Sequence, residues 1–226
     1  MKTTPLLAIA LALVAVGCQS SPFVAPELSP MDISVDPHRM VENFRGKLPD
    51  RFSQMNSMVI EPGFFQRIST IGLIKADIIR EEFTIVGLNP MGLKIFEISA
   101  NKNGVTKKYA VEQLAARGDF AQAIVEDMRR IYFHTTPSPD ARVIKEKYRI
   151  IFDEEDKGKT RFIFAGTEGY LVEKKRYNKT GSLLWRVTYH ERFWENGKLY
   201  TGGIVLDNIK SGYRLVIRNK KVNVYE

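Results

Sequence analysis

The stretch Val86 to Ser99, VGLNPMGLKIFEIS, decides how this chain is read. Two segments in which apolar and polar residues alternate flank an Asn89-Pro90 turn, the pattern of a β-hairpin. Phe83 and Ile85 fall on one face of the first strand, and Phe96 and Ile98 on one face of the second. The turn breaks the usual rule. It carries Leu88 and Met91 where turn tips normally present small or polar side chains to water. Either these residues fold back onto the sheet edge, or the tip is built to meet something apolar.

Outward from this hairpin the pattern repeats. Segments near 53–60, 65–74, 77–86, 92–100 and 104–109 are rich in β-branched and aromatic residues and are separated by turn signals such as Pro62-Gly63 and Asn103-Gly104. Six more follow near 143–153, 159–165, 169–178, 183–194, 198–206 and 213–225, with Lys157-Gly158, Thr180-Gly181, Asn196-Gly197 and Ser211-Gly212 between them. In the later strands Trp185, Val187 and Tyr189 share a face, as do Leu215 and Ile217.

Between the two groups lies a helical interval, AVEQLAARGDFAQAIVEDMRRIYF. Phe120, Ile124, Met128 and Ile131 repeat there at helical spacing, and Gly118-Asp119 divides it into two helices with Asp119 as N-cap. A further short helix is expected from Pro37, with Met40, Val41 and Phe44 on one face. The predicted fold is mainly β: about eleven antiparallel strands curled into an unclosed half-barrel, with a short N-terminal helix and a helical pair capping the mouth.

The N-terminus supplies an address. MKTTPLLAIALALVAVGCQ opens with Lys2 and an apolar run from Leu6 to Val16, too short to span a membrane but suited to a secretory signal. It ends at Val14-Ala15-Val16-Gly17-Cys18, which resembles a bacterial lipobox. That resemblance implies cleavage of residues 1–17, acylation of Cys18 with incorporation of palmitate, and, with Gln19 next, sorting to the outer membrane facing the periplasm. Cys18 is the only cysteine in the 226 residues, so no intrachain disulfide can form. Residues 18–37, with four prolines and no periodicity, read as a flexible tether to a domain spanning 38–226.

The charge is +8 and the isoelectric point about 9.5. Export argues against nucleic acid as the partner, and most basic residues alternate with apolar ones as on a solvated sheet face. Enzyme motifs are missing: there is no G-x-S-x-G elbow, phosphate-binding glycine loop or H-E-x-x-H. His190-Glu191 lies in a strand, where neighbours face opposite ways, and the four carboxylates of FDEEDKGK lack calcium-loop spacing. No catalytic site, metal or cofactor is expected.

The order of elements, together with two motifs, resembles the LolA/LolB group of periplasmic lipoprotein carriers. Leu88-Asn89-Pro90-Met91-Gly92 is similar to the N-P-L-G turn of LolB, and Trp185-Arg186-Val187 with Tyr189 is similar to its W-K-V-x-Y strand. The longer sheet, and a helical pair without the family's L-P and W-x-x-G features, place the chain nearer a set of LolB-like outer-membrane lipoproteins.

The resemblance implies an apolar cavity for the acyl chains of a lipid or lipoprotein, lined by Phe83, Ile85, Phe96, Ile98, Trp185, Val187, Tyr189, Leu215 and Ile217 and capped by Phe120, Ile124 and Met128. It implies a tip, Leu88 and Met91, that touches the inner leaflet of the outer membrane. It also implies a periplasmic LolA-like donor and a monomeric carrier without enzymatic activity. The alternative is a packed barrel that scaffolds a protein partner and carries no lipid.

Overall fold

A computed structural model describes residues 22–24, 29–31, 34–62, 67–116 and 118–224. The signal segment, Cys18 and much of the expected tether lie outside the described residues. Helix α1 (Pro37–Lys47) opens the described domain, with Asp36 as N-cap accepting from the His38 N–H at 2.9 Å. Its Met40, Val41 and Phe44 are buried.

Five strands follow: β1 (Arg51–Pro62), β2 (Ile68–Asp77), β3 (Glu82–Leu88), β4 (Lys94–Asn101) and β5 (Gly104–Ala110). Then come the single turn α2 (Glu112–Ala115) and the longer α3 (Phe120–Tyr132). The second group is β6 (Arg142–Glu146), β7 (Arg149–Glu155), β8 (Lys159–Ala165), β9 (Tyr170–Tyr177), β10 (Leu183–Glu195), β11 (Lys198–Asn208) and β12 (Tyr213–Val224).

All twelve strands form one antiparallel sheet in the order β5-β4-β3-β2-β1-β12-β11-β10-β9-β8-β7-β6. Each strand pairs with its sequence neighbour, and β1 with β12 joins the two groups, so the sheet is an unclosed half-barrel with β5 and β6 as its edges. The count exceeds the expected eleven because 143–153 is two strands. They turn at Lys147-Tyr148, with Glu146 paired to Arg149, and this tight turn uses neither Gly, Asn nor Pro, so it leaves no sequence signal. The helical pair is likewise unequal: α2 is one turn without a buried residue, and Asp119 occupies the α3 N-cap position without a side-chain capping bond.

Register aligns the apolar faces. Ile74, Ile85 and Ile98 lie opposite one another across β2–β3–β4, and Val187, Leu206 and Leu215 across β10–β11–β12. These residues point inward and belong to one continuous core. Val125, Met128 and Ile131 of α3 fill the concave side against it, each burial worth roughly 1.5–3 kcal/mol.

Antiparallel pairing puts the β3–β4, β7–β8, β9–β10 and β11–β12 turns, with the start of β2, at one end of the sheet, the upper rim. Helix α1 lies at the lower end, where Lys47 pairs with Glu168 at 3.0 Å and the Lys198 ammonium donates to the Gly46 carbonyl at 3.2 Å.

Part of the stretch read as a tether is docked. Phe23 is buried on the outer face of β10–β12, stacked on His190 at 5.1 Å with the Arg218 guanidinium 4.5 Å over its ring. It fits because Gly203 has no side chain; a Cβ there would come within 2.5–2.7 Å of the ring. Farther on, the Met31 N–H donates to the Lys147 carbonyl. The segment thus follows the domain surface at these points, and a soluble form that preserves this contact must begin before Pro22.

Candidate functional site

The expected cavity residues converge beneath α3. Phe83, Ile85, Phe96, Ile98, Met128, Val187, Tyr189, Leu215 and Ile217 are buried in the core, with Phe120, Ile124 and Trp185 packed at its margin. Phe96 meets Phe120 edge-on at 6.4 Å, which seats the start of α3 against the β3–β4 hairpin. The concave side is filled by the helix itself. Beneath it is a cavity of about 70 Å³ toward the lower end, too small for an acyl chain. A separate depression of about 660 Å³ is a groove at the lower end lined by Arg51, Lys75, Asp77, Arg80 and Thr84 among others. For the core residues to enclose an acyl chain, α3 must move.

Side-chain hydrogen bonds fasten α3 to the sheet. The Tyr213 hydroxyl donates to the Asp127 carboxylate and accepts from the Asn208 amide at 3.0 Å, while Arg130 pairs with Asp127 at 2.8 Å. Arg129 donates to the Asn101 carbonyl at 2.6 Å. The Tyr189 hydroxyl donates to the Ile131 carbonyl at 2.9 Å. Lys174, buried on β9, donates to the Phe133 and His134 carbonyls at 3.1 and 3.2 Å and so closes the helix C-terminus.

Burial pushes the Asp127 carboxyl above its ordinary range, although the Tyr213 hydrogen bond and the Arg130 charge pull the other way. Burial also drags the Lys174 ammonium down to about 7, against the attraction of Glu154. Sequence reading passed over Lys174 because it opens a basic Lys-Lys-Arg run; only alternation put it on the opposite face from Lys175.

Removing the latch hydroxyl with Tyr213→Phe leaves a buried carboxylate short of one donor. We expect a loss of about 1–3 kcal/mol in stability and faster amide exchange confined to α3. Unchanged exchange in α3 would show that the latch does not hold the helix.

At the upper rim the β3–β4 turn is closed by its own asparagine. The Asn89 N–H donates to the Leu93 carbonyl at 2.9 Å, and the Asn89 side-chain oxygen accepts from the Met91 and Leu93 N–H groups at 3.0 and 2.9 Å. Gly92 takes a left-handed φ of 83°. The β9–β10 turn is its twin. Asn178 makes the same bonds to Thr180, Gly181 and Ser182, and Gly181 has the same φ of 83°. The twin presents Lys179, Thr180 and Ser182 to water, so nothing in this backbone demands apolar side chains.

Yet Met91 is 81% exposed and Leu93 62% exposed. Leu88, expected beside Met91, is half-buried at the end of β3 opposite Ile71. Leu93 takes its place at the tip, having been assigned to the following strand. Ile68 and Ile209, on neighbouring upper-rim positions, are exposed as well.

No helix among the described residues is long and apolar enough to cross a membrane. No curated protein matches the sequence. Among solved structures, the chain is similar to the LolA superfamily protein NE2245 from Nitrosomonas europaea, at 13% identity and a TM-score of 0.58, covering 85% of this chain and 94% of that one. It is also similar to a putative outer membrane lipoprotein-sorting protein domain from Vibrio parahaemolyticus, at 9% identity and a TM-score of 0.52, covering 83% and 93%. The fold is therefore LolA/LolB-like, as the hairpin and strand order implied. A family model matches residues 72–221, from β2 to β12, and the chain belongs to that family, described as protein of unknown function (DUF3261).

Proposed function

We propose that the protein is an outer-membrane lipoprotein, anchored through Cys18 and facing the periplasm, that takes up the acyl chains of a lipid or lipoprotein beneath α3 and passes them to the membrane. The observation that carries this reading is the pair of twin turns. The same backbone hydrogen bonding with polar residues at one tip and exposed Met91 and Leu93 at the other supports reading the second as an apolar contact point rather than a by-product of the turn. Exposed Ile68 and Ile209 extend it along a rim where successive hairpins stand roughly 10 Å apart. The lid-like α3, the absence of enzyme motifs in the sequence and the LolA-like fold support a carrier without catalytic activity.

Full chain carrying Cys18→Ser, purified without detergent, is expected to bring lipid with it by mass spectrometry and to bind a fluorescent fatty-acid probe at micromolar concentration. The unsubstituted chain should incorporate labelled palmitate and sediment with outer membranes. The filled interior favours a second reading, a packed scaffold for a protein partner. Absence of both co-purified lipid and probe uptake would select it.

A further inference from the structure

The interior holds a cation that no carboxylate among the described residues neutralises. Arg192, on β10, donates to the Leu171 carbonyl and the Thr201 hydroxyl and lies 5.5 and 5.9 Å from the ring centres of Tyr189 and Tyr170. No carboxylate pairs with it among the described residues, whereas Arg45 at the same cavity is paired with Asp50 at 2.5 Å. Arg192 is half-buried, and a guanidinium drawn this far out of water without an anion carries a desolvation cost that chains normally offset by pairing it.

The surroundings are also short of partners. Arg192, Tyr132, Tyr200, Gln54 and Thr201 line one cavity of about 70 Å³ between α1, the end of α3 and the lower halves of β1, β10 and β11. The Tyr200 hydroxyl is buried there without a hydrogen-bond partner among the described residues, while the Tyr132 hydroxyl faces the side chain of Asn56, two residues beyond Gln54 on the same face of β1. Buried polar groups are nearly always satisfied, so an unpartnered hydroxyl beside a guanidinium without a carboxylate calls for an anionic acceptor. Phe52, Ile131, Leu171 and Ile204 supply the apolar remainder of the wall.

We propose that this cavity is the head-group subsite for an anionic single-chain amphiphile, with Arg192 as the counter-ion and the Tyr200 hydroxyl as an added donor. The proposal rests on the carrier reading and narrows its cargo. A space of this size holds roughly two waters' volume, enough for a carboxylate but not for a phosphodiester with a substituent. The head sits at the lower end, and the tail runs beneath α3 toward the apolar upper rim. Burial holds the Arg192 guanidinium down to about 10, still charged at neutral pH and able to pair with an ionised head.

The test is titration of full chain carrying Cys18→Ser with palmitate, hexadecyl phosphate and hexadecanol, which share one tail and differ in the head. Palmitate should bind at least tenfold more tightly than hexadecanol. Arg192→Gln should erase that difference while leaving hexadecanol binding within about twofold, Arg192→Lys should restore part of it, and Tyr200→Phe should weaken palmitate several-fold. Hexadecanol binding and thermal melting report whether each variant is folded; if Arg192→Gln does not fold, Arg192→Lys and Tyr200→Phe still decide.

Hexadecyl phosphate binding as tightly as palmitate would support the anion site and make its head specificity charge rather than shape. Equal binding of all three ligands to the unsubstituted site would overturn the subsite and leave the carrier reading standing. Binding of none would overturn both.

Discussion

The double variant Met91→Glu, Leu93→Glu is expected to slow transfer of bound lipid into liposomes by at least tenfold without unfolding the domain. Both side chains already stand in water, so the stability change should be about 0.5 kcal/mol or less for each. Entering the bilayer interface would bury them, worth roughly 1.5–3 kcal/mol per side chain, and a carboxylate in the same place opposes insertion. About 1.4 kcal/mol corresponds to a factor of ten, so even partial burial meets the expectation. The β9–β10 turn supplies the control. The paired substitution Thr180→Glu, Ser182→Glu places the same charge on the same backbone at the same end of the sheet and should leave transfer unchanged. A double variant that transfers at the normal rate would remove the tip from delivery, and one that melts several degrees lower would mean the tip packs against the domain.

The second large effect concerns pH. The unfolded chain binds a proton on Lys174 up to about 10.5, while in the folded protein burial lowers that ammonium to about 7. Between these values the unfolded state holds up to one more proton than the folded state. Stability therefore rises with pH, at up to about 1.4 kcal/mol per unit, and the gain is lost again as pH falls toward 7. Glu154 and Arg130 are the charged groups acting on Lys174, the first favouring and the second opposing its charge. Other shifted groups act only at the edges of the window: Arg192 adds to the rise near its upper end, where the buried tyrosines oppose it, and His190 acts below it. Burial lowers His190 from 6.5, holds Arg192 at about 10 and raises the buried tyrosines above their ordinary range.

Denaturant unfolding at pH 7.5 and 9.5 should thus differ by roughly 2–3 kcal/mol. Lys174→Met should flatten the difference while costing stability at the higher pH, because the Phe133 and His134 carbonyls lose their donor. An equal slope in both proteins would mean that Lys174 stays charged inside the fold.

Strand identity, hairpin order and the β class were legible because each strand carries its own alternation and most turns carry Gly, Asn or Pro. The family resemblance was readable from the Asn89 turn and the Trp185 strand for the same reason: both are local. The Lys147-Tyr148 turn was not readable, since a tight turn without Gly, Asn or Pro differs from continuous strand only in backbone geometry. The tip was half legible. Its apolar character stood in the sequence, but whether Leu88 or Leu93 joins Met91 depends on the register shift between Gly87 and Leu88, which is a property of pairing.

By itself the sequence determined which residues are apolar, how they alternate and where the chain turns. Those are nearest-neighbour properties of the backbone and survive without knowledge of the fold. Only the tertiary structure decided that α3 fills the concave face, that Phe23 docks over Gly203, and that Lys174 is buried and Arg192 half-buried in an otherwise basic, solvated-looking pattern. Each of these is a contact between residues far apart in the chain. Such contacts depend on which surfaces the closing sheet brings together, and no local spacing encodes that.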